Sequence, residues 1–187
     1  HNLSISGGGE KFNYYASLGY LDQNGLLRHG SDEMKRYNAT AKFGAELTKW
    51  LKFNYSLRYV RQDLGRPTAF GGGLYEKIGR QTWPNLPVYD ENGYYFNSNA
   101  ETPAMSLALG GERNVQTDKV YQQAGLVIEP IKNWITNVEF NYSTNSIDTR
   151  EVSLPCYNHD VEGNIVDTQG TNSLYQDFKK ENYMNWK

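Results

Sequence analysis

The sequence predicts an all-β protein arranged as an antiparallel up-and-down meander. Apolar and polar residues alternate with a period of two in several segments, which is typical of a strand with one apolar and one polar side. The 187 residues include 15 Tyr and 18 Gly, a composition that favours strands and turns over helices. The connections between these segments are alternately short and long, which indicates a regular arrangement of reversing strands.

The second predicted strand, residues 11–20, shows the alternation most clearly. The residues that share its apolar side are Phe12, Tyr14, Ala16, Leu18 and Tyr20. The same pattern recurs in residues 37–47, 51–60, 120–128 and 134–142, and more weakly in residues 1–7 and 181–187. The sequence therefore predicts about seven strands, each near the roughly 9–11 residues that cross a bilayer at a tilt.

The lengths of the connections alternate along the chain. The short turns are predicted at residues 7–10, 48–50 and 131–134, and the long loops at about residues 22–34, 62–118 and 147–181. Because successive strands reverse direction, every short turn falls on one rim and every long loop on the other. Outer-membrane β-barrels have this asymmetry, with short periplasmic turns and long extracellular loops. Residues 1–187 are therefore predicted to form a domain of the transmembrane β-barrel type.

The apolar side of the strands is expected to face lipid, and the polar side a wet interior. Tyr, Trp and Phe cluster near the strand ends, where membrane barrels place aromatic residues at both interfaces. On the opposite side, Lys42, Lys52 and Arg58 lie in mid-strand, which suits a hydrated lumen or contact with a plug. The alternative is a soluble all-β carbohydrate-binding module, in which the apolar sides would pack against a second sheet.

Four stretches of the sequence carry a family resemblance. They read HNLSISGGG from residue 1, NYYASLGYLDQNG from residue 13, KRYN from residue 35 and LPVYDENGYY from residue 86. These stretches are similar to the SusC/RagA-type TonB-dependent outer-membrane transporters, and the match is close in the first third of the chain. Members of that family combine a barrel of roughly 22 strands with an N-terminal plug. Since no plug or TonB box is recognised here, the resemblance implies that residues 1–187 form one partial domain, an early segment of the transmembrane β-barrel.

The resemblance also implies partners and a location. Transporters of this type lie in the outer membrane of Gram-negative bacteria and import oligosaccharide or peptide fragments. The TonB complex drives them through the plug region, and a SusD-type surface lipoprotein usually caps them. The expected partners are therefore that lipoprotein, the TonB complex, an oligosaccharide or peptide substrate and outer-membrane lipid.

Candidate ligand contacts lie in the second long loop. Aromatic residues are interspersed there with amides and carboxylates, and rings beside hydrogen-bonding groups suit sugar or peptide recognition. The predicted substrate-binding residues are Trp83, Tyr89, Tyr94 and Tyr95. The alternative interpretation is that these rings pack the loop against itself.

Other chemistry-bearing residues do not predict a catalytic or metal site. The segments 89–95 and 159–167 are interpreted as turns, because the spaced oxygen ligands of a calcium loop are missing. The three histidines are far apart in sequence, and Cys156 is the single cysteine. A net charge of −2 disfavours binding to nucleic acid. We therefore expect neither enzyme activity nor a metal, a cofactor or a nucleic-acid partner.

Overall fold

A computed structural model describes residues 1–83, 85–96 and 102–187, so residues 84 and 97–101 of the second long loop lie outside the description. The described residues form a seven-stranded sheet in the order β1-β2-β3-β4-β5-β6-β9, in which every neighbouring pair is antiparallel. Its strands are β1 (Asn2–Gly8), β2 (Phe12–Asn24), β3 (Glu33–Thr48), β4 (Leu51–Pro67), β5 (Gly111–Ile131), β6 (Trp134–Ser153) and β9 (Ser173–Trp186). The predicted antiparallel meander is confirmed.

The remaining elements lie in two of the connections. Between β4 and β5 the chain forms α1 (Gly72–Glu76), a π-helical turn (Lys77–Gln81) and α2 (Pro103–Leu109). Between β6 and β9, strands β7 (Cys156–His159) and β8 (Ile165–Gln169) form a separate antiparallel hairpin. Within the described part of the chain, no helix has the length and hydropathy needed to cross a membrane.

Tight turns connect β1 to β2, β3 to β4 and β5 to β6, where the sequence predicts them. A Cβ at Gly8 would lie 2.5 Å from the carbonyl oxygen of Phe12, so only glycine fits the first turn without a shift. In the third turn, Asn133 adopts a φ of 71°, and its backbone N–H donates to the Glu129 carboxylate at 3.1 Å. Asparagine is one of the residues that tolerate this left-handed conformation. The other connections meet the opposite rim, which confirms the predicted separation of short turns from long loops.

The register of the sheet places the apolar residues of neighbouring strands side by side. Ala41 in β3 lies opposite Ala16 in β2 and Leu57 in β4. Leu57 in turn lies opposite Gln122, a polar residue on the apolar side. The Tyr55 hydroxyl donates to Oε1 of Gln122 at 3.3 Å, which provides this amide with a partner in apolar surroundings.

The apolar side of the sheet is uncovered. Leu3 and Leu18 retain 71% and 61% of their exposure, whereas residues of this type in a soluble protein are most often buried. Among the described residues, the only other sheet is the small β7–β8 hairpin, so no second layer of comparable size covers this side. Two cavities of about 640 and 390 Å³ lie on the polar side, where residues such as Lys42, Asn54 and Arg58 line them.

The strands extend further than the sequence predicts. Strands β3 to β6 contain between 16 and 21 residues, so the long loops span residues 25–32, 68–110 and 154–172. The predicted limits of about 22–34, 62–118 and 147–181 therefore need correction. The hydropathy alternation ends near Tyr20, Tyr37 and Tyr59, but backbone pairing continues because a hydrogen-bonded ladder does not require apolar side chains.

A polar network follows the apolar residues on the same side of the sheet. The Tyr59 hydroxyl donates to the carboxylate of Asp118, and the amide of Gln116 donates to the same carboxylate at 2.7 Å. Arg61 donates to Asp63 at 3.2 Å and to Gln116 at 2.7 Å. One side of the sheet thus changes from apolar to hydrogen-bonded polar residues at the level of Tyr59.

Candidate ligand-binding loops

The three connections at the loop rim pack together, and we call residues 25–32, 68–110 and 154–172 the loop assembly. Apart from two prolines, the buried apolar side chains of the described residues are Leu74, Met105, Leu107 and Cys156, and all four belong to it. The Cys156 thiol lies 3.9 Å from the carbonyl oxygen of Met105, which joins β7 to α2. The hydrophobic core of the described chain therefore lies in the loops and not in the sheet.

The first loop reaches the others through Gly30. This residue has a φ of 78°, and a Cβ on it would collide with the carbonyl oxygen of Leu107 in α2. Because glycine has neither restriction, the backbone of the loop can lie directly against the helix. This approach brings the neighbouring His29 to the second loop, where its ring centroid is 6.5 Å from that of Tyr89.

Two hairpins with the same turn occur in the loop assembly. Asp90 and Asp160 each begin a five-residue turn in which Oδ1 accepts two backbone N–H groups, at 2.9 and 2.9 Å in the first turn and 3.1 and 2.7 Å in the second. The fourth residues, Gly93 and Gly163, have φ values of 85° and 86°. Hydrogen bonds from Asn164, followed by those from Glu162 and Gly163, lower the pKa of Asp160. The predicted turns are confirmed, and both carboxylates serve the turns themselves.

Tyr94 connects the two hairpins. Its ring stacks on His159, with centroids 4.4 Å apart and planes 20° apart. Its hydroxyl lies beside Gly163, where an added Cβ would be 3.1 Å away. Nearby, the side-chain amide of Asn92 donates to the carbonyl oxygen of Val161 at 2.9 Å. The structure therefore places Tyr94 in the contact between the second and third loops.

Tyr89 and Tyr95 form a pair across the first of these hairpins. Their backbones make an isolated β-bridge, and their ring centroids are 4.9 Å apart. Burial, with hydrogen bonding to Tyr89 as the next cause, raises the pKa of Tyr95 to about 12. Tyr95 is half-buried, whereas Tyr89 is 45% exposed. Of the two rings, Tyr89 is the more accessible to a ligand.

Trp83 stands apart from the three tyrosines. It is 65% exposed and borders an apolar cavity of about 220 Å³, which Ile78, Leu86 and Phe96 also line. His29, the neighbour of Tyr89, lines the same cavity. The structure thus brings Tyr89, Tyr94 and Tyr95 into one aromatic cluster and places Trp83 at an adjoining cavity.

Two histidines of this region are not among the site residues that the sequence predicts. His29 and His159 contact Tyr89 and Tyr94, although they belong to loops far from those tyrosines in sequence. Nothing in the sequence pairs these rings, because the contacts depend on how the three loops meet. The repeated Asp-x-x-Gly pattern of the two turns is the one local signal that relates the second loop to the third.

No protein-family model matches the chain. Among curated proteins, the chain is similar to two TonB-dependent receptors of Formosa agariphila. It is 27% identical to one over 191 residues, covering 99% of the chain and 17% of that receptor. It is 24% identical to the other over 185 residues, covering 93% of the chain and 16% of the receptor. The chain therefore spans about a sixth of the length of these relatives.

Two further relatives connect the chain to characterised systems. The TonB-dependent receptor SusC of Bacteroides thetaiotaomicron is 30% identical over 109 residues, which cover 54% of the chain and 10% of SusC. A chain of the RagAB peptide importer, solved in its closed-closed state, has a TM-score of 0.64 at 23% identity and matches 82% of this chain and 18% of its own length. At that identity the structural match concerns the fold. The predicted resemblance is confirmed: the chain is similar to a β-barrel segment of the SusC/RagA-type TonB-dependent transporters.

Proposed function

We propose that the chain is part of a TonB-dependent outer-membrane transporter that imports oligosaccharide or peptide fragments. The chain would supply one section of the barrel wall and three of its extracellular loops. The observation that carries the proposal is the uncovered apolar side of the sheet, which extends from Phe12 to Tyr20 in β2 and from Tyr37 to Leu47 in β3. This height matches the roughly 9–11 residues with which a tilted strand crosses a bilayer.

The edges of the sheet support a place in a larger barrel. Within the described residues, β1 and β9 each pair on one side only. Unpaired backbone groups cost several kcal/mol each in hydrocarbon, so a wall in lipid needs neighbouring strands at both edges. The remainder of a longer transporter would provide those strands, which agrees with the small fraction of each relative that the chain covers.

The proposed orientation follows from the two rims. The tight turns would face the periplasm of a Gram-negative bacterium, and the loop assembly would face outwards, in the arrangement of outer-membrane barrels. A SusD-type surface lipoprotein would cover the loop assembly, and the TonB complex would act through a plug elsewhere in the transporter. The family resemblance supports both partners.

The loop assembly is the proposed ligand contact. Trp83 and Tyr89 have rings exposed enough for a ligand to stack on them. Tyr94 and Tyr95 remain candidates, and their contacts with His159 and Tyr89 also hold the hairpins in place. Substitution of the second pair would therefore disturb the shape of the site as well as remove a ring.

Alanine variants of the full-length transporter test this proposal. Because a stacked aromatic pair contributes roughly 0.5–1.5 kcal/mol, Trp83→Ala and Tyr89→Ala should each weaken uptake of the cognate oligomer about two- to tenfold. The measurement is growth on that oligomer at normal surface expression, with Tyr75→Ala, an exposed ring on α1, as the control. Unchanged uptake in both variants would show that Trp83 and Tyr89 do not contact the ligand. Uptake that persists without TonB would contradict the assignment of the protein as a TonB-dependent transporter.

The alternatives have less support. A soluble carbohydrate-binding module would need its apolar residues covered, whereas Leu3 and Leu18 are open. The relatives are receptors and a transporter, and none of them is described as an enzyme. We therefore propose a transport function without catalysis.

A further inference from the structure

The cavity beside Trp83 has chemical features that restrict what it can bind. It has a volume of about 220 Å³ and lies between the first loop, the segment that precedes the Asp90 hairpin and the beginning of α2. Its apolar lining includes Ile78, Leu86, Val88, Phe96 and Ala104, and the ring of Trp83 borders it. Because Trp83 is largely exposed, the cavity is accessible from the surface of the loop assembly.

Two of the three polar side chains in the described lining already make hydrogen bonds. Thr82 donates its hydroxyl hydrogen to the carbonyl oxygen of Lys77 at 3.1 Å, and Thr102 donates its own to the carbonyl oxygen of Phe96 at 3.3 Å. His29 is the third polar residue of the lining, and none of the described lining residues is Asp, Glu, Lys or Arg. The described part of the lining therefore has few side chains that could bind the hydroxyls of a sugar, and it contains no carboxylate, ammonium or guanidinium group that would bind a charged ligand.

The volume indicates the size of the ligand. Pockets for whole small molecules usually have roughly 300–1,000 Å³, whereas a dry cavity of about 150 Å³ holds one benzene ring. A cavity of about 220 Å³ therefore fits one aromatic or branched aliphatic group and little more. Burial of such a group strengthens binding roughly tenfold to a hundredfold, whereas each sugar hydroxyl buried without a partner weakens binding about tenfold or more.

We propose that this cavity binds one apolar side chain of a peptide cargo, with the Trp83 ring at its entrance. The inference rests on the proposed import function and narrows its substrate from oligosaccharide or peptide to peptide. The backbone of the cargo would lie outside the cavity, where its amide groups remain solvated. The selected side chain would be Phe, Leu, Ile, Met or Trp.

A binding selection with the full-length transporter and its surface lipoprotein tests the inference. The probes are a pool of random heptapeptides and, separately, a mixture of glucose oligomers. Peptides retained by the purified complex are eluted and sequenced by mass spectrometry, and retained oligosaccharides are identified in the same way. The wild type is compared with Trp83→Ala, which removes the entrance ring, with Ala104→Phe, which fills the cavity, and with Tyr75→Ala as the control.

The expected result is a roughly tenfold enrichment of apolar residues at one position of the retained peptides. This enrichment should disappear in Trp83→Ala and Ala104→Phe and persist in Tyr75→Ala. Retention of oligosaccharides instead of peptides, or an apolar preference that both cavity variants keep, would overturn the inference while leaving the transport function intact. If both cavity variants lose the surface lipoprotein but keep their peptide preference, the cavity contacts the lipoprotein and not the cargo. That result would also overturn the inference. Retention of neither probe would also overturn the inference, whereas uptake that persists without TonB is the result that would contradict the proposed function.

Discussion

Apolar side chains are exposed in the sheet and buried in the loop assembly. The sheet leaves Leu3, Ile5 and Leu18 open, although these side chains are aligned with those of the neighbouring strands. The loop assembly is smaller, yet it buries Met105 and Cys156 almost completely. Exposed loops of a soluble protein would ordinarily be the less buried part. The reversal indicates that the sheet obtains its apolar environment from outside the chain, whereas the loops provide their own.

The same contrast holds for hydrogen bonds. In the sheet, long ladders between β3, β4, β5 and β6 satisfy the backbone. In the turns of the loop assembly, the carboxylates of Asp90 and Asp160 accept hydrogen bonds from the backbone N–H groups instead. The two regions should therefore respond differently to substitutions and to pH.

Replacement of the buried methionine should have the largest effect. Met105→Ala removes a fully buried side chain, and such substitutions destabilise by roughly 2–5 kcal/mol. Because the loops have a core of their own, the loss should open residues 103–109 and 156–159 and leave β3 and β4 protected. Hydrogen exchange of the full-length protein measures both regions. Leu109→Ala, an exposed residue of the same helix, should change protection little, and equal losses in loops and sheet would contradict independent cores.

A charge on the apolar side of the sheet should have a slightly smaller effect. Ala41 lies in the middle of the apolar residues of β3, so Ala41→Arg should destabilise the full-length barrel by roughly 2–4 kcal/mol if it lies near the bilayer midplane. Lys42→Ala, one residue further on the polar side, should cost much less. The measurement is refolding into lipid bilayers over a denaturant series. If Lys42→Ala destabilises the barrel more than Ala41→Arg, the two faces of the sheet have been assigned the wrong way round. The transporter proposal would then lose its basis.

Alkaline pH should loosen the loop assembly before the sheet. Burial and the neighbouring Tyr89 raise the pKa of Tyr95 to about 12, so the fold favours the neutral phenol. Its contribution to stability is complete below the usual tyrosine value of about 10 and is lost as the pH rises towards 12. The difference in tyrosinate absorbance between the wild type and Tyr95→Phe should therefore show one ionisation near pH 12. A difference step near pH 10 would show that Tyr95 is not held in the packed loops.

Local features of this protein follow from its sequence. The alternation in residues 37–47 assigns Ala41 and Lys42 to opposite sides, because consecutive side chains of a strand must point to opposite faces. The Asp-x-x-Gly segments predict turns, because an aspartate side chain accepts backbone N–H groups only a few residues away. The tight turns and the seven main strands are also predictable, because they too depend on residues that are close together in sequence.

The ends of the strands and the contacts between the loops depend on the tertiary structure. The ladder continues beyond Tyr59 because cross-strand pairs such as Arg61 with Gln116 support it, and hydropathy does not register such pairs. The stack of Tyr94 on His159 joins residues from two loops, so no local pattern could predict it. The cavity beside Trp83 likewise forms only where segments distant in sequence come together. Strand faces and turns depend on near neighbours, whereas the candidate site depends on long-range packing, which the order of residues does not reveal.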